Sequence, residues 1–298
     1  GYAVCHGTPP SGGFVSRPTD RHPKESRDRA EKPRNRGYKG PMGDMSDPAT
    51  EARARARQRL AGHGVLVVHE DNHLLGIVKP AGLLSQGGPE GEQHLVALID
   101  AYRREAERKQ GRAYVGLVHR LDRNVSGVMV VAKTSKAAAR LTQAFQRKAG
   151  RLEKRYVAWV KGIPQPDEAE LVDRLRREGG VTRRVSSDDT SAPEARLRYR
   201  VDGRGGAAAR VRVELGTGRT HQIRAQLALA GHPLWGDVKY GGPKGARPAL
   251  HAQQLVLEHP VGGAVVTLAA PIPRDLIELD RKLGISPEAT RPGARPSR

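Results

Sequence analysis

Val118-His119-Arg120-Leu121-Asp122-Arg123-Asn124-Val125-Ser126-Gly127-Val128-Met129-Val130-Val131-Ala132 is an apolar pattern that turns polar and resumes beyond Gly127. The resumed run, Val128 to Val131, reads as a strand. One carboxylate, Asp122, stands between Arg120 and Arg123 just before it. An acid so placed is a candidate nucleophile. The same residues also suit an ordinary turn, because Asp, Asn, Ser and Gly are turn formers and flanking arginines are commonly solvated. The choice between these readings comes from segments further along the chain.

On either side of this stretch, short runs rich in Val, Leu and Ile recur at Val65 to Val68, Leu74 to Val78, Gly116 to Val118, Tyr156 to Val160, Leu197 to Val201, Val211 to Leu215, Leu255 to Leu257 and Ala264 to Leu268. Turn residues separate them, and each reads as a strand. Helical spacing occupies Gln93 to Arg108, Ser135 to Gln146 and Thr220 to Ala230, with Ser135 the expected cap of the second. Strands in runs with few helices predict an α+β fold, a largely antiparallel mixed sheet flanked by helices. Asp167 to Ala192 is charged and contains glycine, and reads as a surface excursion between strands.

The chain has 298 residues, 37% of them apolar, enough for a folded core. Residues 1–61 are poor in apolar periodicity and rich in Pro, Gly, Arg and Ser, so they are expected to form a disordered basic arm. Within it Glu51 to Arg59, with arginine at every second position from Arg53, is read as a solvated lead-in, a short helix on binding being the alternative. Residues 62–284 are the expected folded unit and 285–298 a disordered tail. A net charge of +20 attracts polyanions through counterion release, with nucleic acid the first candidate partner. No stretch approaches the roughly 18 apolar residues of a membrane span. Gly1 to Thr19 lacks an apolar signal core, so the expected compartment is the cytoplasm. The single cysteine, Cys5, excludes an internal disulfide. The scattered histidines give a metal site little support.

Leu215-Gly216-Thr217-Gly218-Arg219-Thr220-His221-Gln222-Ile223-Arg224 reads as a strand end, a glycine turn and a helix start. Free N–H groups there, beside Arg219, would seat a phosphate. A P-loop is excluded by spacing. Arg224 follows the apolar Ile223, a position that can direct a guanidinium inward, where it needs an acid such as Asp122. Lys154-Arg155-Tyr156-Val157-Ala158-Trp159-Val160-Lys161-Gly162 is a third segment. Tyr156 either packs in the core or, facing the same side as Asp122, offers a ring for a base and a hydroxyl for proton exchange.

Together these segments resemble the RluA-type pseudouridine synthases. The resemblance rests on His119-Arg120-Leu121-Asp122 with Ser126-Gly127, Lys154-x-Tyr156, Thr217 to Arg224, and Gly231-His232-Pro233-Leu234-Trp235-Gly236-Asp237-x-x-Tyr240-Gly241. Asp71-Asn72-His73-Leu74-Leu75 and Lys79-Pro80-Ala81-Gly82-Leu83 are similar to that family's opening strand and turn. The resemblance implies an enzyme that isomerises uridine in structured RNA to pseudouridine without metal or cofactor. Ribosomal and transfer RNA both fit, and the long basic arm favours ribosomal RNA. The resemblance further implies Asp122 as nucleophile, Arg224 as its countercharge and Tyr156 stacking on a flipped base and helping remove the C5 proton. Arg120 would fill the vacated space and Ile223 would line the pocket, with Arg219 and Thr220 as further substrate contacts. The expected state is a monomer with no protein partner.

Two positions depart from the family pattern: Val125 stands where Thr is usual, and Gln226 where His is usual. The rivals are a catalytically silent RNA-binding or ribosome-assembly factor and a glycoside-processing enzyme. The first has no need of an intact Asp122, Tyr156 and Arg224. The second wants paired carboxylates, and no second acid appears within these motifs.

Overall fold

The computed structural model describes residues 47–88, 91–147 and 150–287. The strands are β1 (Leu66–Glu70), β2 (Leu74–Lys79), β3 (Gly116–Leu117), β4 (Ser126–Ala132), β5 (Leu152–Lys161), β6 (Glu168–Glu178), β7 (Val181–Arg184), β8 (Glu194–Arg204), β9 (Ala208–Leu215), β10 (Leu250–Glu258), β11 (Val265–Ala269) and β12 (Ser286–Pro287). The helices are α1 (Pro48–Gly62), α2 (Leu95–Ala106), α3 (Ser135–Arg147), α4 (Gln222–Leu229) and α5 (Arg274–Lys282). The sheet runs β1-β2-β4-β10-β5-β9-β8-β6-β7. Among the described residues every pairing between these strands is antiparallel except β4 with β10. The α+β class and the mixed, largely antiparallel sheet are as the sequence predicts. No described helix is long and apolar enough to cross a membrane.

The sheet centre is apolar on both faces, which explains the unbroken run in β4: all seven of its residues are buried. Met129 and Val131 join a core with α1, α2 and α4, while Val128, Val130 and Ala132 face α3. The parallel contact requires close approach at Gly127, where φ is 135° and an added Cβ would lie 2.3 Å from the Ala252 carbonyl oxygen. Beside it Ser126 Oγ and His251 Nδ1 are 2.9 Å apart. Burial pulls His251 down to about 4, so the ring is neutral there. Gly127→Ala is expected to cost about 3 kcal/mol, combining backbone strain with overpacking. An unchanged urea midpoint would contradict the close approach.

Three expectations need correction. Residues 48–61 of the expected arm are helical: Asp47 caps α1 by accepting from Ala49 N, and Ala52, Ala56 and Leu60 are buried at a spacing of four. The apolar stripe is small and alanine-rich, so arginines mask it, and it is anchored by Arg57 on Glu70 at 2.9 Å. At the other end Ile285 is buried and Ser286 and Pro287 pair with β8, so the tail begins later than 285. The remaining arm and tail residues, 1–46 and 288–298, lie outside the described residues. Asp167 to Ala192 is chiefly the paired strands β6 and β7, joined at Gly179 and Gly180 with φ of 55° and 77°. Gly-Gly is a two-residue hairpin signal, hidden in the sequence by charges on the strands' open face. A smaller difference is the α3 cap, which is Thr134 Oγ1 accepting from Ala137 N, and not Ser135.

Candidate active site

Asp122 sits in the loop between β3 and β4, and that loop is fastened from the β2 side. Lys79 is fully buried, and its ammonium donates to the carbonyls of Pro80, Leu83 and Arg123 at 2.8, 2.8 and 3.0 Å. Burial pulls Lys79 down to about 7, opposed by the charge of Asp122 and reinforced by Arg247. Three carbonyl acceptors need three N–H donors, so the arrangement selects the ammonium form. Ser85 Oγ donates to the Leu121 carbonyl at 2.8 Å, and Gly82 N to the Arg123 carbonyl at 2.9 Å. Lys79 was visible in sequence only as part of a turn; its depth could not be read from neighbours that are themselves ordinary turn residues.

Arg224, on the inner face of α4, reaches Asp122 as expected: Nη1 lies 3.1 Å from Oδ2. Its main partner is different. Nε and Nη2 fork onto Asp237 Oδ2 and Oδ1 at 2.6 and 2.8 Å, and Asp237 is 1% exposed. Burial lowers the Arg224 pKa, but Asp237 and then Asp122 outweigh it and the guanidinium is held charged. Tyr240 lies beneath, its ring centroid 5.0 Å from the guanidinium carbon. His221 precedes α4 in the left-handed region at φ 55°, a conformation that costs a non-glycine residue about 1–2 kcal/mol. Its Nε2 lies 3.5 Å from Asp122 Oδ2. Asp237, Tyr240 and His221 all belong to quoted motifs, yet only the fold discloses their partnership.

A cavity of about 730 Å³ opens over this group. Asp122, Tyr156, Arg224, Arg120, Ile223 and Arg219 all line it. Tyr156 is brought there by β5, whose Leu152, Lys154 and Tyr156 alternate onto the cavity wall. Burial, helped by the charge of Asp122, raises the Tyr156 hydroxyl well above its ordinary value, so it is neutral at physiological pH. His119 also lines the cavity, stacked on Phe145 with centroids 4.6 Å apart, and its Nε2 accepts from Val130 N. Burial, then the charge of Lys154, pulls His119 down to about 3.

Thr220 is not in the cavity wall; its carbonyl accepts from Thr182 Oγ1 at 2.8 Å. The expected phosphate seat is partly filled by the protein itself. Gln222 Oε1 accepts from Arg219 N at 2.9 Å, and Arg219 Nε donates to the Glu194 carbonyl at 3.0 Å. Val125 is buried against the cavity. Gln226 is buried away from it, donating to Asp173 Oδ2 at 2.8 Å and accepting from Gln222 Nε2 at 3.0 Å. Asp237 is a second acid near the site, but both its oxygens are taken by Arg224 and it does not line the cavity.

Residues 73–229 match the family of RNA pseudouridylate synthases. The ribosomal large subunit pseudouridine synthase D of Haemophilus ducreyi is 36% identical over 232 residues, covering 72% of this chain and 69% of that protein. The Escherichia coli protein of the same name is 35% identical over 241 residues, covering 72% and 68%. Among solved structures, human RNA pseudouridylate synthase domain containing 4 superposes with a TM-score of 0.64 at 22% identity, over 80% of this chain and 98% of that one, a likeness of fold.

Proposed function

Because the chain belongs to the RNA pseudouridylate synthase family and is therefore an RNA-modifying isomerase, we propose that it converts specific uridines of large-subunit ribosomal RNA to pseudouridine, with Asp122 as nucleophile. The observation that carries this reading is the Asp122 carboxylate, held at 3.1 Å by Arg224 on the wall of an open cavity. The relatives are named for the ribosomal large subunit, and a net charge of +20 suits a large polyanion. The proposed setting is the cytoplasm and the proposed active unit a monomer.

The reaction breaks the bond between C1′ and N1 and forms one between C1′ and C5, while the C5 proton leaves and N1 gains one. Asp122 holds one fragment covalently during the exchange, at C1′ of the ribose or at C6 of the base. The uridine must first leave its stack, at a cost of roughly a few kcal/mol. Arg120 takes the vacated space, and Tyr156 and Ile223 enclose the flipped base. No cofactor or metal enters this scheme. Tyr156, being neutral, relays through its hydroxyl: the oxygen takes the C5 proton as its own proton passes to solvent, and N1 takes a proton from solvent in exchange. Tyr156→Phe is therefore expected to lower kcat about 100-fold with KM for RNA within threefold. Wild-type turnover in that variant would leave the ring with stacking alone.

The decisive experiment is incubation of the full chain with unmodified large-subunit, small-subunit and transfer RNA, followed by pseudouridine mapping. New pseudouridine confined to large-subunit RNA is the expected result. Modification of transfer RNA alone would overturn the substrate, and tight binding without modification of any RNA would favour a silent binder.

A further inference from the structure

We propose that His221, fixed by Tyr240, is a positioning residue that joins Arg224 in holding one oxygen of Asp122 and leaves the other as the attacking atom. The inference rests on Asp122 being the nucleophile. It begins at β7. The Thr182 backbone N–H, which can only donate, points at the Tyr240 hydroxyl at 2.9 Å. That hydroxyl lies 2.8 Å from His221 Nδ1, the remaining partner for its hydrogen among the described residues. With Thr182 donating to Tyr240, the arrangement that gives the hydroxyl hydrogen a protein acceptor has Tyr240 donating to His221 Nδ1.

An imidazole whose Nδ1 accepts carries its proton on Nε2. Burial lowers the His221 pKa, with Arg224, Lys239 and Arg177 acting in the same sense and Asp122 against it. The ring is thus a neutral Nε2–H donor whose nitrogen lies beside Asp122. Its target is Oδ2 at 3.5 Å, the oxygen that Arg224 Nη1 approaches to 3.1 Å. Such contacts are commonly long in a free enzyme and shorten with substrate. Asp122 Oδ1 has no protein partner among the described residues. It is also not enclosed, since the one fully buried side-chain N or O atom without a partner among them is Trp235 Nε1. Oδ1 is therefore accessible, on a residue that lines the cavity. One oxygen bears the donors, and the other keeps its lone pairs for carbon.

The test pairs a spectroscopic readout with kinetics. In ¹⁵N-histidine spectra of the full chain at pH 7.5, with His221 assigned from its absence in His221→Gln, the expected state is the neutral Nε2–H tautomer. Tyr240→Phe keeps the ring under Arg224 and removes only the hydroxyl. It is expected to give a mixture of tautomers and to lower kcat about 10-fold with KM for RNA within twofold. His221→Gln, which retains a side-chain N–H donor, should keep kcat within about fivefold, whereas His221→Leu should lose about 100-fold. An Nδ1–H tautomer or an imidazolium in the wild-type protein would overturn the proposal, whether or not the variants fold. So would wild-type kcat in Tyr240→Phe or in His221→Leu. If Asp122→Asn is inactive while these variants turn over normally, the positioning role alone fails. If Asp122→Asn is active, the nucleophile assignment fails.

Discussion

Asp122→Asn protein is expected to bind RNA with wild-type affinity and to form pseudouridine at least about 1,000-fold more slowly in single turnover. The substitution is nearly isosteric. Its amide oxygen can still accept from Arg224, whose main fork onto Asp237 is untouched. The side chain of Asp122 is 23% exposed, so loss of its charge should change stability by less than about 1 kcal/mol. What vanishes is the accessible anionic oxygen, and an amide is a far poorer nucleophile toward carbon. Affinity, stability and rate therefore separate, and only the rate should move. Turnover within tenfold of wild type, measured by mapping pseudouridine in saturating RNA, would remove Asp122 from the chemistry.

This separation depends on a site whose parts were unequally legible in the sequence. The alternation of β5 left Tyr156 open between core and site, and Ile223 only allowed Arg224 an inward position, so the meeting of Asp122, Tyr156 and Arg224 came within reach of the sequence through the family resemblance. Asp237 did not. It lies beyond α4 and a glycine turn, and the fork it makes with Arg224 depends on how that turn folds back. The same holds for Tyr240 and Thr182, brought to His221 from two separate segments. Sequence periodicity also failed where the buried surface is small or one-sided. The alanine stripe of α1 and the charged face of β6 carry too little apolar contrast to stand out from their arginines. Thr220 marks the opposite error: it belongs to a site motif but serves the turn, accepting from Thr182.

The buried fork makes the second large effect one of stability as well as rate. Asp237→Ala leaves the Arg224 guanidinium inside the protein with its principal partner gone, and breaking a buried pair in this way costs about 3–5 kcal/mol. Replacing both groups is a different perturbation. Arg224→Met with Asp237→Ala removes the charge that needed a partner, so the double variant should be more stable than Asp237→Ala alone. Urea unfolding of the two single variants and the double variant supplies the complete cycle. Additive losses would mean that the fork contributes nothing beyond its separate side chains. Turnover should fall for a distinct reason. Once released from Asp237, Arg224 retains one anionic partner in reach, and a planar guanidinium forks readily onto both oxygens of a carboxylate. It would then cover the oxygen that Asp122 keeps accessible. Asp237→Ala is accordingly expected to lose about 100-fold in kcat even where it remains folded. Asp237→Asn, which keeps one acceptor for the guanidinium, should fall between that variant and wild type in both stability and rate.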